Sequence, residues 1–156
     1  MKIKPLKLTL ILISASIIFY HGFHLFYLWP DIPSQIAIHF SNGEADNCGS
    51  KYFLFVMPII SILIWLLVQL LVRKPEKLNY INLTEKNKKI QFLKVKKVLL
   101  VIQYLGSITF IFLNEAFLRS SVGMETSLLF SVGIVLLSIC LIAPLYLLIW
   151  ASTLKY

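Results

Sequence analysis

The sequence alternates four long apolar segments with shorter polar ones. The apolar segments cover residues 8–29, 52–72, 98–118 and 127–150. Each is close to the roughly 20 residues that an α-helix needs to cross a ~30 Å hydrocarbon core. None alternates polar and apolar residues at a period of two, which argues against membrane-spanning strands. The pattern therefore predicts an all-α fold, a bundle of four transmembrane helices.

Composition agrees with a membrane protein. Of the 156 residues, 58% are hydrophobic and only 14% are charged, and the mean hydropathy is +0.82. Soluble domains are about half apolar and about a quarter charged. We therefore expect residues 1–156 to form a single membrane domain. Because apolar residues continue to Trp29, well past the small residues 14–16, we expect the first span to be a retained anchor rather than a cleaved signal peptide.

Charged residues predict which way the helices face. All but two of the 15 lysines and arginines lie at the termini or in the loop 73–97, the exceptions being Lys51 and Arg119. All but two of the 7 acidic residues lie on the opposite side, the exceptions being Glu76 and Glu85. Because lysine and arginine in short loops stay cytoplasmic, we expect both termini and the loop 73–97 inside the cell. The net charge of +8 then reflects contact with an anionic lipid bilayer, and no nucleic-acid partner is expected.

The outer loop, residues 30–51, is long for a connection between bundle helices. Apolar residues alternate with polar ones from Ile32 to Phe40, which predicts a short extended segment lying on the helix ends. Residues 41–43 have turn chemistry, and Gly49 indicates a second bend. Asp46 is suited to capping nearby backbone, and Lys51 to extending along the membrane border. We expect a structured extracellular loop.

Few titratable side chains fall within the predicted spans, where charge is costly and often functional. They are His21, His24, Glu115 and Arg119. One interpretation has neutral histidines that hydrogen-bond across helices, with Glu115 paired to Arg119 one turn later. The other has a zinc site formed by His21, His24, His39 and the carboxylate of Asp46 or Glu115. No HExxH or CxxC motif supports the metal site.

The cytoplasmic loop, residues 73–97, is rich in lysine. Pro75 is expected to end the second helix. Thr84 is expected to cap a short interfacial helix that leads into the third span, with Glu85 in its first turn. This helix is either a membrane-surface anchor or, in a second interpretation, a docking site for a cytoplasmic regulator at Lys86–Lys97.

Three segments carry a resemblance to a known family. They are IPSQIAIHF at 32–40, GEADNCGSK at 43–51, which runs into a span containing Pro58, and NYINLTEKN at 79–87. Over roughly residues 20 to 100 the chain resembles the SdpI-type membrane family, whose N-terminal domain is of unknown function. Ala37 and Ile81 depart from the family pattern, since proline is common at both positions. The segment between His39 and Gly43 is also one residue shorter, and the chain lacks further helices that SdpI carries.

The resemblance implies residence in a bacterial cell membrane. The best-known member of the family confers immunity to a secreted peptide toxin and helps to sequester a transcriptional repressor. Carried over by position, the candidates for binding a ligand or folding the loop are Pro33, His39, Gly43, Asp46 and Lys51.

Together these features predict a non-enzymatic binding or immunity protein, because an acidic outer loop would attract a cationic peptide toxin. One alternative is a signal-relay or accessory subunit that holds a cytoplasmic regulator. Another is a metal-dependent membrane enzyme or a transporter. Transport would require a homo-oligomer, since four helices alone form a poor conduit. No cofactor is expected, because GxGxxG, Walker and GxSxG motifs are missing from the sequence.

Overall fold

The computed structural model describes residues 3–41 and 44–154. Within these ranges the chain forms four long helices and one β-hairpin. The elements are α1 (Ile3–Leu28), β1 (Gln35–Ser41), β2 (Glu44–Ser50), α2 (Val56–Arg73), α3 (Lys88–Ser121) and α4 (Ser127–Ser152). Short 3₁₀ helices over Lys51–Phe55 and Pro75–Lys77 lie immediately before and after α2. All four long helices are long and apolar enough to span a membrane, which confirms the predicted number of spans.

Helix α3 departs most from the prediction. The expected interfacial helix and the span 98–118 form one continuous helix of 34 residues. At 1.5 Å per residue this helix is about 50 Å long, well beyond a ~30 Å hydrocarbon core. The reason for the continuity is local, since residues 88–97 contain neither glycine nor proline and are rich in lysine, a good helix former.

Helix α3 is also the centre of the fold. Helices α1, α2 and α4 each pack extensively on α3 and make little contact with one another. Most of the buried residues of the four helices consequently belong to α3. Close approach is visible between α3 and α4, where a Cβ added to Gly133 would lie 2.7 Å from Cδ2 of Leu113. The arrangement is three helices around a fourth, which leaves clefts between the outer helices.

The hairpin joins the end of α1 to the start of α2. We call this end of the helices the hairpin end, and the opposite end, which carries Lys7 and Arg73, the basic end. Strands β1 and β2 are antiparallel, with Gln35 paired to Ser50 and Ala37 to Cys48. The pairing then skips Ile38 in β1 and Asp46 in β2, so the ladder is irregular near its middle. An all-α description therefore fits the spans but misses this hairpin.

Apolar packing holds the hairpin against the helices. Ile36 of β1 is buried with Leu25 and Leu28 of α1, with Ile32, with Leu54, and with Leu118 of α3. Gly49 of β2 faces Ile38 and Phe53, and a Cβ added there would lie 3.0 Å from the Ile38 Cδ1 atom. Gly49 thus allows the side chains of Ile38 and Phe53 to approach β2 closely, and the bend predicted at this position is wrong.

The loop between α2 and α3 is folded by its own polar side chains. The backbone N–H of Thr84 donates to Oδ1 of Asn87 at 2.9 Å, and the Asn87 N–H donates to Oγ1 of Thr84 at 3.3 Å. This reciprocal pair precedes α3, so the helix begins at Lys88 rather than directly after Thr84. The Tyr80 hydroxyl donates to the Pro75 carbonyl at 2.6 Å. Burial, together with the Glu76 carboxylate, raises the pKa of Tyr80 above its usual value.

Candidate functional site

The candidate site is a cluster of titratable side chains between α1 and α3, just beneath the hairpin. Its centre is the carboxylate of Glu115, which is 3% exposed. Oε2 accepts a hydrogen bond from Nδ1 of His21 at 2.8 Å, and Oε1 accepts one from Nδ1 of His24 at 2.6 Å. The Arg119 Nε also donates to Oε1, at 2.9 Å. Three donors from two helices therefore converge on one buried carboxylate.

The neighbouring amide determines the tautomer of His21. Nδ2 of Asn114 donates to the Leu54 carbonyl at 2.8 Å and lies 2.9 Å from Nε2 of His21. Because an amide nitrogen only donates, Nε2 of His21 must accept, and its proton must reside on Nδ1, where it points at Glu115. In this arrangement His21 donates from Nδ1 to Glu115 and accepts at Nε2 from Asn114. The amide nitrogen of Asn114 in α3 therefore donates one hydrogen bond to His21 of α1 and one to the Leu54 carbonyl. These two bonds link both helices to the segment that follows the hairpin.

His24 and Arg119 form the more open side of the cluster. The side chain of His24 is 14% exposed, compared with 4% for His21. Its ring stacks on the ring of Tyr20, with centroids 5.5 Å apart. Nη2 of Arg119 donates to the Tyr20 hydroxyl at 3.0 Å. The positive charge of Arg119 compensates Glu115, so the cluster is close to neutral when both histidines are neutral.

Lys51 connects the hairpin to the end of α1. Its Nζ atom lies 3.2 Å from the Trp29 carbonyl oxygen and 3.4 Å from that of Ile32, and it donates to both. The same atom lies 4.6 Å from the centroid of the Trp29 ring, a cation–π contact. The two carbonyls belong to the turn after α1, where helical partners run out. In this structure Lys51 therefore stabilises the fold of the loop.

A small apolar cavity lies between part of the hairpin and the helices on which it packs. It measures about 100 Å³ and is lined mainly by Ile36 and Ile38 of β1, Phe53 and Leu54 of the 3₁₀ segment, and Phe117 of α3. Asn114, a member of the polar cluster, forms part of the same wall. The hairpin and the buried cluster are thus contiguous parts of one region.

The structure unites some of the predicted site residues and leaves others apart. His21, His24, Glu115 and Arg119 come together, as described above. Pro33 is exposed in the turn before β1, and Asp46 is exposed in β2. The backbone of His39 pairs with Asn47, while its side chain and the whole of Gly43 lie outside the described residues.

The zinc hypothesis depends in part on His39. Among the side chains that the structure describes, no group of three or more His, Cys, Asp or Glu residues is arranged to hold a metal ion. In the observed arrangement each Glu115 carboxylate oxygen accepts a hydrogen bond from the Nδ1 atom of one histidine, His21 or His24. The participation of His39 in a metal site stays a prediction.

Sequence reasoning missed several polar partners. Asn114 and Tyr20 complete the cluster, and two further pairs join α2 to α3. In these pairs the Ser61 and Ser107 hydroxyls are 2.7 Å apart, and the Gln103 amide nitrogen donates to Oε1 of Gln69 at 2.9 Å. The available signal was the presence of uncharged polar residues inside apolar spans, where they usually hydrogen-bond between helices.

This geometry defines a class of protein: a multipass helical membrane protein with a hairpin fixed over a buried polar cluster. A family model described as "Domain of unknown function (DUF1648)" matches residues 17–62. The match covers the second half of α1, the hairpin and the beginning of α2, and so includes both histidines and Lys51. A search of curated proteins and a search of solved structures found no match.

Proposed function

We propose that this protein is a non-enzymatic bacterial cell-membrane protein of the SdpI type, which binds a secreted cationic peptide toxin at its hairpin end and so protects the cell. The observation that carries the proposal is the fixed attachment of the hairpin to the helices. The apolar cluster around Ile36, the Lys51 contacts and the Asn114 bond to Leu54 all hold it in place. A pre-organised loop binds a ligand with a smaller entropic cost than a mobile one.

Charge supports a cationic ligand. The acidic side chains of Asp31, Asp46 and Glu125 at the hairpin end are exposed. The two basic side chains at this end are both directed into the protein, Lys51 towards carbonyl oxygens and Arg119 towards Glu115. The surface that a ligand would meet is therefore more acidic than the residue count suggests. Such a surface attracts cationic peptides and repels anionic ones.

The proposal is tested by protection of a sensitive strain. Cells that express the protein are challenged with secreted cationic peptides, and survival is compared with that of cells carrying an empty vector. The double variant Asp31→Asn/Glu125→Gln should give several-fold weaker protection. The matched control Glu76→Gln/Glu85→Gln removes two exposed carboxylates from the opposite end and should protect like the wild type. Equal protection by both double variants, or none by the wild type, would reject the proposal.

The proposed orientation places the hairpin outside the cell and both termini in the cytoplasm. Cys48 is exposed in β2 and offers a natural reporter. In intact cells a membrane-impermeant maleimide should label Cys48 in a Cys140→Ser background. A Cys48→Ser/Cys140→Ser/Lys89→Cys variant, with its thiol at the start of α3, should be labelled only after the cells are opened. The reverse pattern would contradict the orientation.

A signal-relay role is the second candidate, and the continuity of α3 favours it. One helix contains Glu115 near the hairpin end and residues Lys88–Lys97 at the basic end. Lys94 is engaged, since its Nζ atom lies 4.1 Å from the Trp150 ring centroid, whereas Lys86, Lys88 and Lys89 are exposed. Cross-linking in cells from position 89 should capture a cytoplasmic regulator, and charge reversal at Lys86 and Lys88 should abolish that capture. Capture that is unaffected by charge reversal would argue against this role.

A further inference from the structure

A large open cleft lies at the basic end, far from the hairpin. It measures about 570 Å³ and runs between α1 and α2, with α3 as its floor. Tyr104 and Ser107 of α3 line the floor, and Trp65 and Gln69 of α2 line one wall. The cleft exists because α1 and α2 both pack on α3 and make little contact with each other. Because α1, α2 and α3 are long and apolar enough to span a membrane, a cleft between them would lie beside lipid.

One face of α1 forms the other wall. Lys7, Ile11, Ser14 and Ile18 all line the cleft. Their spacing of three to four residues places them on one side of the helix. Along its length the wall presents the cation of Lys7 at the basic end, then Ile11, then the hydroxyl of Ser14 and finally Ile18.

Ser14 is the unusual member of this wall. It is 6% exposed, and its hydroxyl oxygen has no hydrogen-bond partner among the residues that the structure describes. Ser131 and Ser138 of α4, by contrast, each donate to the carbonyl four residues earlier, at 2.9 Å. A buried hydroxyl without a partner is unfavourable. The unsatisfied hydroxyl of Ser14 therefore points to an acceptor supplied from outside the chain.

Two cations stand at the mouth of the cleft. Lys7 lies near the start of α1 and Arg73 at the end of α2, and both are exposed. Neither forms an ion pair within the described part of the chain. An arginine and a lysine that line the same cleft are well suited to binding a phosphate group.

We propose that this cleft binds an anionic phospholipid. Lys7 and Arg73 hold the phosphate, the Ser14 hydroxyl donates to an ester carbonyl, and one acyl chain lies along Ile18 and Trp65. Ser14 is seven residues beyond Lys7, about 10 Å along the helix axis. The interfacial layer of a bilayer is itself roughly 5–8 Å thick, and the flexible side chain of Lys7 can extend to meet a phosphate within that layer. The order of cation, hydroxyl and apolar wall thus follows the order of groups in a phospholipid.

Native mass spectrometry of the full-length protein tests the assignment. The protein in mild detergent is titrated with dioleoyl phosphatidylglycerol and, separately, with dioleoyl phosphatidylcholine. The wild type should retain the anionic lipid with one tight site and the zwitterionic lipid only weakly. Lys7→Gln/Arg73→Gln should weaken phosphatidylglycerol binding about 30-fold, since each of the two cations contributes about fivefold near a charged lipid. Ser14→Ala should weaken it about threefold, the size expected for one hydrogen bond.

The matched control is Lys86→Gln/Lys89→Gln, which removes the same charge from exposed positions at the same end and should bind like the wild type. Circular dichroism and a monodisperse elution profile establish that each variant is folded. The proposal is overturned if both double variants lose the lipid equally or if the two lipids bind equally well. It is also overturned if the protein elutes as a dimer that excludes lipid, because a second copy would then fill the cleft. These outcomes are independent of peptide protection at the hairpin end.

Discussion

The two ends of the helices differ in how completely their buried polar side chains are hydrogen-bonded. At the hairpin end, Glu115 accepts three hydrogen bonds, and Asn114 bonds both to a histidine and to a backbone carbonyl. At the basic end, the hydroxyl of Ser14 has no partner within the described chain, and Lys7 and Arg73, which line the same cleft, form no ion pair there. Both ends contain polar groups inside helices of membrane length, but at the basic end Ser14 has no partner in the described chain, although Gln69 and Gln103 are paired.

The difference follows from how the helices pack. Around Glu115, α1 and α3 are close enough for side chains to meet, so donors and acceptors form hydrogen bonds with one another. Around Ser14, α1 and α2 make little contact with each other and leave a cleft of about 570 Å³. The hydrogen-bonded cluster around Glu115 fixes α1 against α3 at the hairpin end. The cleft around Ser14 leaves room for a ligand at the basic end.

The largest effect is expected from removing the Glu115 carboxylate, which is the shared acceptor of the polar cluster at the hairpin end. Glu115→Ala leaves two histidines and an arginine without their shared partner, and we expect it to lower the free energy of unfolding by about 3 kcal/mol. Thermal unfolding in detergent measures the change. Glu76→Ala, an exposed carboxylate at the basic end, serves as the control and should have little effect. A melting temperature for Glu115→Ala equal to that of the control would show that the network contributes nothing to stability.

A smaller effect should follow from crowding the hairpin. In Gly49→Ala the new methyl group would lie 3.0 Å from Ile38 and 3.1 Å from Phe53, and overpacking of this kind costs about 1–3 kcal/mol. Gly22→Ala in α1 is the matched control, since a Cβ there meets nothing within 4 Å. The control should be neutral or stabilising, because alanine favours helix over glycine. Equal melting temperatures for the two variants would mean that the hairpin is not packed as described.

Substitutions at two buried serines allow a hydrogen-bonded hydroxyl to be compared directly with one that has no partner in the described chain. Ser61 shares a 2.7 Å hydrogen bond with Ser107, so Ser61→Ala should destabilise the protein by about 1 kcal/mol. Ser14→Ala removes a hydroxyl that has no partner in the described chain. In lipid-free detergent it should be neutral or slightly stabilising. Destabilisation by Ser14→Ala that matches that by Ser61→Ala would contradict the open arrangement.

The smallest effect concerns the turn before α4, at the hairpin end. Hydrogen bonds from Ser127 and its backbone lower the pKa of Glu125 below its usual 4.5. A lowered pKa in the folded state means that the stabilisation is present above the ordinary pKa and is lost as pH falls through the folded value. The difference in melting temperature between wild type and Glu125→Gln should therefore be small at neutral pH and vanish in acid. A difference that persists below the lowered pKa would exclude this origin.

Some of these features were predictable because they depend on local sequence. The four spans follow from apolar length, and the segment NYINLTEKN contains the Thr84 and Asn87 side chains that fold the loop before α3. Strand β2 was not predictable in the same way. Its sequence, EADNCGS, contains Asp, Asn and Gly, which are depleted in strands. It is extended because it pairs with β1.

The candidate site was predictable in its members but not in its geometry. The two histidines, Glu115 and Arg119 are conspicuous in apolar spans, and the spacing of Arg119 from Glu115 suggests an ion pair. The sharing of one carboxylate by both histidines could not be inferred, since it depends on how α1 is rotated and placed against α3. The involvement of Asn114 likewise depends on the position of Leu54, which is distant in sequence.

The sequence by itself determined the number of spans, their apolar surfaces and the uneven distribution of charge, because each of these depends on composition along a single segment. The tertiary structure decided that α3 is central, that the hairpin lies against the helix ends and that Ser14 faces an open cleft. The physical reason is that all four helices are apolar on nearly every side. Hydrophobicity alone does not select which faces meet, and the choice falls to small residues, close packing and the few polar pairs between helices.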